Sequence, residues 1–463
     1  MDGLRQDAPP REVAGRTGTR ALFGWVLFDW ATQPFYTLVV TFLFAPYFVN
    51  GFMDDPARGA SLWAYATGFA ELIAALLAPV LGAVADVSQR RKPWIAAFSV
   101  LLVAGLCGLW FAVPGPTDLV LFVLISFGLA TIGAELATVF NNSMMVSLVS
   151  GRRLGTLSGF GWATGYVGGL LSLALVAGFL VTDPDTGKTL FGLPPLLPLD
   201  TATREGDRLV GPFSALWYLV FVLPLFLFTP DGNGGPPPPG AVKAGLTAFL
   251  RSLKDLVRNH AQVALFLLAR MIYIDGLGAV FAFGGIYAAT VFGWGATELG
   301  LFGIVLTIAG TIGALAGGPL DDRAGSKSVI VGALILFIVG AIAVLSVDPT
   351  HVLYVLPVEA KAPGSAPFSS VGEQVYLAFA VLIGLASGPI QSSSRTLLAR
   401  MCPPGKTTEF FGFFSFSGKA TAFAAPLAIG VVTHATGSQR LGIGTSLIFL
   451  IGGLLLLLRV KAK

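Results

Sequence analysis

Seven ionisable residues stand well inside long apolar runs of this chain: Asp29, Glu71, Glu135, Arg270, Asp275, Arg395 and Lys419. Each would cost about 2.5–3.5 kcal/mol at a lipid-exposed helix centre, on the order of 20 kcal/mol together. That exceeds the net stability of an ordinary domain. The seven must therefore face water or one another. Four acids against three bases is near balance, as a paired interior requires. Fixed cations at mid-depth can hold a carboxylate. Fixed carboxylates can hold an ammonium group or, in a desolvated setting, carry a proton. Together they suit a zwitterion such as an amino acid, or an organic anion moved with protons.

Polar neighbours extend these charges into stripes. Trp25, Asp29, Gln33 and Tyr36 fall at i, i+4, i+8 and i+11, one face of a helix. Glu135 shares its face with Thr131, Thr138 and Asn142, Arg395 with Gln391, Ser392 and Gly388, and Lys419 with Ser415 and Gly412. Trp162 lies one turn from both Ser158 and Tyr166. The candidate solute and proton pathway is thus Asp29, Gln33, Tyr36, Glu71, Glu135, Asn142, Trp162, Tyr166, Arg270, Asp275, Gln391, Arg395 and Lys419. Asp29, Glu135 and Asp275 are the proton candidates, Arg270 and Lys419 the contacts for an anionic group, and Trp162 with Tyr166 a flat apolar wall.

Simpler structural roles stand beside these. Asp29 could pair with Lys419 as helix glue, and Glu71 could be either a gate or a static pair. Arg395, close to the inner end of its run, could snorkel to headgroups or close a cytoplasmic gate. Asn141 and Asn142 suit interhelical hydrogen bonds, and the aromatic run Phe410–Phe416 suits packing. Arg270 and Asp275 are five residues apart, about 140° around a helix, so each is expected to find its partner elsewhere.

The elements that carry these residues must be membrane helices. Of the 463 residues 54% are apolar and only 12% charged, with mean hydropathy +0.78. Soluble domains run at about 25% charged. Twelve spans follow from the apolar runs: 22–49, 60–84, 94–113, 119–148, 155–181, 212–229, 261–292, 298–319, 328–347, 373–398, 409–433 and 441–459. Each is long enough, or nearly so, for a bilayer that takes roughly 20 residues. With the N-terminus inside, the inner segments hold 20 of the 29 Lys and Arg and the outer loops 6. That bias puts both termini in the cytoplasm. The first twenty residues, with Arg5, Arg11, Arg16 and Arg20, read as an uncleaved cytoplasmic tail. The net charge of +4 comes from short basic clusters between spans, which argues against a nucleic-acid partner.

The organisation is a tail (1–21), a six-helix bundle (22–229), a cytoplasmic linker (230–260), a second six-helix bundle (261–459) and a short tail (460–463). The linker opens DGNGGPPPPG and continues with Leu246, Phe249, Leu250, Leu253, Leu256 and Val257 at helical spacing between basic residues. An amphipathic helix on the inner membrane surface, or a solvated connecting helix, fits that pattern.

The halves resemble one another. Gly82 to Asp86 with Arg90 follows span 2, and Gly318 to Asp322 with Arg323 follows span 8; both read G-x3-D with bases after it. Gly159 and Gly165 match Gly412 and Gly418 at a constant offset, and spans 1 and 7 each carry an acid, Asp29 and Asp275. Six-span parallel repeats are a transporter architecture with the solute bound between the halves. A carboxylate at Asp86 or Asp322 can bond the positive N-terminus of a neighbouring helix, while Arg91 and Lys92 suit a plain topology role.

The two loops resemble the major facilitator superfamily signature, the second copy closely. The first departs from it at Val87 and Gln89. Within that superfamily, segments 28–42, 158–169, 269–276 and 409–426 resemble the vacuole-effluxer-like family, which includes a fungal vacuolar amino-acid effluxer and bacterial relatives. The resemblance implies an all-α fold of two pseudo-symmetric six-helix halves. It implies a cavity ringed by spans 1, 4, 7 and 10 with spans 2, 5, 8 and 11 at the interface. It also implies that Gly82, Asp86, Arg90, Gly318, Asp322 and Arg323 gate one access state.

No P-loop is present, so ATP is not the expected energy source. No metal spacing, catalytic triad or cofactor motif stands out among two isolated cysteines and three histidines. The expected function is secondary active transport of a small polar solute, not enzymatic catalysis, with protons a candidate coupling ion. A monomer in the lipid bilayer, the inner membrane if bacterial, is the expected setting. The alternatives are a non-transporting receptor or scaffold of the same fold, or a carrier of sugars or lipids.

Overall fold

The computed structural model describes residues 18–115, 117–183, 186–235, 241–362 and 364–461. Arg5, Arg11, Arg16, Pro236, Pro237, Pro238, Pro239 and Lys463 lie outside the described residues. Twelve helices are long and apolar enough to cross a membrane: Thr19–Phe52, Pro56–Ser88, Lys92–Phe111, Val120–Leu148, Gly151–Phe179, Glu205–Phe228, Ala261–Phe292, Thr297–Ala324, Ser326–Leu345, Val371–Met401, Thr407–Thr436 and Gln439–Arg459. They are spans 1 to 12 below.

Several spans outrun the apolar runs that announce them. Span 6 begins at Glu205, seven residues before Pro212, so Arg208 is helical and not in a loop. Its guanidinium is buried over the Trp110 ring and donates to the Trp110 and Thr203 carbonyls, which satisfies a charge that hydropathy reads as exposed. Span 1 is not a uniform helix. It is α-helical to Pro34, then π-helical over Phe35–Phe42 and again over Phe48–Phe52. Wide turns of this kind cluster at functional sites. Span 11 breaks into Thr407–Lys419 and Ala424–Thr436. Pro426 has no N–H for the carbonyl four residues back, so the helix cannot run through at full hydrogen bonding.

Spans 1–6 and 7–12 form the two halves, which meet through span 2 against span 11 and span 5 against span 8. Both contacts are close because small residues sit there. A Cβ added to Gly82 would come 2.5 Å from the Thr408 carbonyl oxygen, and one on Gly155 would come 2.6 Å from that of Gly318. Close backbone approach replaces the hydrophobic drive that lipid does not supply.

The connecting helix Ala241–Asn259 does not lie free. Leu256 is buried, Leu253 is packed on the core, and Phe249 meets Phe413 and Phe416 of span 11 at ring distances of 6.3 Å. Asp255 accepts from Lys406 at 2.6 Å, pinning the helix beneath the start of span 11. Leu250 and Val257 remain exposed on the outer face. The Lys406 ammonium holds the Asp255 carboxyl below the ordinary carboxylate range. A depressed folded value contributes above the unfolded value, about 3.9, and is lost as pH falls through the folded one. Docking of this helix is therefore expected to be constant from pH 8 to pH 5. Lys406→Gln should raise hydrogen exchange over residues 249–259 several-fold at neutral pH, and unchanged exchange would show that the ion pair does not hold the helix.

Candidate functional site

A cavity of about 410 Å³ lies between the halves, lined from spans 1, 4 and 5 on one side and 7, 10 and 11 on the other. Ten of the thirteen pathway candidates line it: Asp29, Gln33, Tyr36, Glu135, Asn142, Trp162, Arg270, Gln391, Arg395 and Lys419. A smaller cavity of about 160 Å³ shares Gln33 and Tyr36 and takes in Tyr166. The Tyr166 hydroxyl accepts from Gln391 Nε2 at 3.1 Å, joining span 5 to span 10. A larger hollow of about 730 Å³ beside Lys327 and Arg400 is peripheral and touches none of the seven buried charges.

Two charge clusters tie the halves together. Arg395 is 3% exposed and donates to Asp29 Oδ2 at 3.2 Å, Asn142 Oδ1 at 2.9 Å, and the Ser158 hydroxyl and carbonyl oxygens at 2.9 and 2.8 Å. One guanidinium from span 10 thus binds spans 1, 4 and 5. Its fork can do this because it carries five donors in a fixed plane. It lies over the Trp25 and Trp162 rings at 5.1 and 5.9 Å. A route to the headgroups is closed to it, and Asp29 has Arg395 as partner in place of Lys419. Gly161 makes room: a Cβ there would come 2.6 Å from Asp29 Oδ2.

Lys419 of span 11 bridges Glu71 at 2.6 Å and Glu135 at 3.3 Å, from spans 2 and 4. Tyr36 donates to the same Glu135 Oε1 at 3.3 Å. Glu71 thus stands behind Lys419 and does not line the cavity.

Arg270 differs from the other two cations. Its Nη1 donates to the Phe414 carbonyl at 2.6 Å and the Ser417 hydroxyl at 2.9 Å, and the guanidinium stacks on the Phe414 ring at 3.5 Å. Among the described residues no carboxylate pairs with it, and Nε is buried without a partner. The aromatic run of span 11 is therefore divided: Phe410 and Phe413 are buried packing, while Phe411 and Phe414 line the cavity.

Asp275 stands apart from the other pathway candidates. It is 5% exposed and lines none of the cavities described above. Five residues past Arg270 the helix has turned it away from the cavity, toward Thr421 in the break of span 11. Ile274 lines the cavity in its place.

The end bearing the two G-x3-D loops is closed. Asp86 accepts from the backbone N–H groups of Thr408 and Glu409 at 3.0 and 2.9 Å, the first turn of span 11. Asp322 accepts from those of Gly155 and Thr156, both at 2.8 Å, at the start of span 5. Each carboxylate meets the orphan donors and positive end of a helix from the other half. The bases named in the motif do not take part, since Arg90 and Arg323 are exposed to solvent. Gln89 adopts φ 51°, which turns the chain so that Arg91 folds back to Asp86 at 3.4 Å. Arg91 is thus part of the contact and not only a topology signal. Around Asp322 the base is Arg400 of span 10, at 3.1 Å and 2.6 Å from Asp322 and Asp321. No local pattern links Arg400 to a loop 78 residues away. Arg323 follows Asp322 by one residue, about 100° around the helix, and so points elsewhere.

Arg395→Gln would leave Asp29 buried without its cation, a loss of about 3–5 kcal/mol. A fall in melting temperature is expected that Asp29→Asn in the same chain largely reverses. Equal melting of Arg395→Gln and wild type would show that the pair carries no stability.

A family model described as vacuole effluxer Atg22 like matches residues 51–463. An uncharacterized MFS-type transporter, YxiO, from Bacillus subtilis is 23% identical over 437 residues, which cover 94% of this chain and 93% of that one. Autophagy-related protein 22 of Cryptococcus neoformans is 26% identical over 313 residues, covering 66% of this chain. The match spans about half the length of that fungal relative (50%). In structure, the chain is similar to FucP, a major facilitator superfamily transporter, in its outward conformation. The TM-score is 0.69 at 15% identity, over 96% of this chain and 99% of the other. A two-half helical fold, a charged cavity between the halves and a family match over most of the length converge: this chain belongs to the vacuole effluxer Atg22-like family of the major facilitator superfamily.

Proposed function

We propose that this transporter carries a small zwitterion or organic anion, an amino acid in the favoured case, by rocking its halves about the charged cavity. The observation that supports this most directly is the inequality among the three cavity cations. Arg395 and Lys419 are answered by carboxylates, whereas Arg270 offers its guanidinium with none opposite. A solute carboxylate fits there, because a guanidinium binds it bidentately. Glu135 and Asp29 line the same cavity and suit a solute ammonium group. A sugar would use Gln33, Gln391 and Trp162 and leave Arg270 without purpose. A scaffold would need none of the buried charges.

The basic residues support placing both termini and the closed end in the cytoplasm. On that reading the structure is the outward-facing state, with the inner gate made by Asp86, Asp322, Arg91 and Arg400. A monomer in the plasma membrane is the setting that fits, with a pH gradient as the candidate driving force.

Exchange of labelled amino acids and organic acids across proteoliposomes tests the solute class. At least one α-amino acid or carboxylate is expected to exchange faster than through empty liposomes. Exchange of sugars alone would end the proposal. Arg270→Gln is expected to lower kcat/KM for that solute by about 100-fold, the scale of an unpaired charge contact at about 2–5 kcal/mol. Arg270→Lys should restore little of it, since one ammonium cannot match the fork.

The inner gate makes a separate prediction. Gly82→Val would push a side chain into the Thr408 backbone and hold spans 2 and 11 apart. Cysteines placed at the inner ends of those spans should then cross-link less and label more with a water-soluble maleimide. Unchanged cross-linking would show that the contact is not required for closure.

A further inference from the structure

The transport reading leaves one buried acid unused. Asp275 Oδ1 is buried without a hydrogen-bond partner, and so is Oγ1 of Thr421, which faces it from the span 11 break. Among the described residues no cation forms an ion pair with it, and four cations on its own and the neighbouring spans have partners of their own. Arg270 on its own span is held by Phe414 and Ser417, and Lys419 on span 11 by Glu71 and Glu135. Arg395 on span 10 is held by Asp29, and Arg440 on span 12 by Tyr287 and Asp348. Tyr273, two residues back and so on nearly the opposite side of the helix, shares its hydroxyl with Ser394. An ionised carboxylate in such a place has the Thr421 hydroxyl beside it but no cation, and burial of an unpaired charge is what proteins avoid by neutralising the group.

We propose that Asp275 is held as the neutral acid and is the protonation site that couples a proton to solute movement. This assignment rests on the transport reading. It separates Asp275 from Asp29, which is paired with Arg395, and from Glu71 and Glu135, which share the Lys419 ammonium. A proton fits better than a metal cation. A sodium ion would call for several oxygens around an open space, whereas Asp275 lines none of the cavities described and faces the Thr421 hydroxyl. The balance is simple: the carboxyl O–H bond breaks, its electron pair stays on the carboxylate, and the proton passes to cavity water.

The route is short in sequence. Ile274 precedes Asp275 and lines the cavity, and Gly418 and Lys419 line it just before the break that holds Thr421. The coupling follows from which cations can answer the new charge. Arg270 stands five residues before Asp275 and Lys419 two before Thr421, and both line the solute cavity. Drawing either toward Asp275 loosens the solute site and shifts the broken segment of span 11, which also packs on the gate at Asp86.

Infrared difference spectra of the purified protein in nanodiscs test the protonation directly. Wild type at pH 7 is expected to show the carbonyl stretch of a protonated, buried carboxylic acid that Asp275→Asn lacks. Identical spectra for the two would overturn the proposal. In proteoliposomes, Asp275→Asn should exchange the labelled amino acid at equal pH within about two-fold of wild type, yet lose at least ten-fold of its accumulation under an imposed pH gradient. Asp275→Glu should recover part of that accumulation. Full gradient-driven accumulation by Asp275→Asn, or accumulation by wild type that follows sodium and ignores pH, would also overturn it. Absence of wild-type exchange for every solute would remove the transport reading instead, and the infrared band would still decide the state of Asp275.

Discussion

Inside a bilayer no water answers a charge, so each buried ion in this protein is answered by protein or left facing the cavity. Arg395 shows how far that constraint reaches. Its guanidinium donates four hydrogen bonds to Asp29, Asn142 and Ser158, from three spans of the opposite half. The two halves therefore share a desolvated ion pair beneath the cavity, and moving them apart must expose or re-pair it. The same holds for Lys419 with Glu71 and Glu135. These contacts define one conformational state and set a cost for leaving it.

The closed end uses a second currency, helix termini. Asp86 and Asp322 do not rely on distant bases but on backbone N–H groups at the starts of spans 11 and 5. Such contacts are directional and break cleanly when a helix tilts. The bases Arg91 and Arg400 lie beside the carboxylates and reinforce them. The connecting helix Ala241–Asn259 is pinned at the same place through Asp255 and Lys406, so it sits where a change in span 11 would be felt.

The internal repeat is faithful in fold and unfaithful in chemistry. Asp29 and Asp275 mark corresponding spans, yet one carries a tight guanidinium partner at the cavity and the other is turned aside toward Thr421. Among the described residues Arg270 lacks the carboxylate partner that Arg395 and Lys419 have. Pseudo-symmetry supplies two similar bundles that can rock. The broken symmetry makes the cavity polar in an uneven way, with the unpaired Arg270 at one place and the carboxylates of Asp29 and Glu135 at others.

Much of this was legible before any coordinates. Apolar runs set the twelve spans, spacing put Asp29, Gln33 and Tyr36 on one face, and the cost of buried charge required a shared interior. Those are local or additive facts, and a helix of known pitch converts them directly into faces. The pairing was not legible. Arg395 and Asp29 stand 366 residues apart, and either Lys419 or Arg395 could have answered the acid on charge alone. The break after Lys419, the exclusion of Asp275 from the cavity and the replacement of Arg323 by Arg400 are of the same kind. Amino-acid order determines what each helix presents around its axis. Only the packing of helices against one another decides which presented groups meet, because that depends on rotations and tilts that no single span encodes.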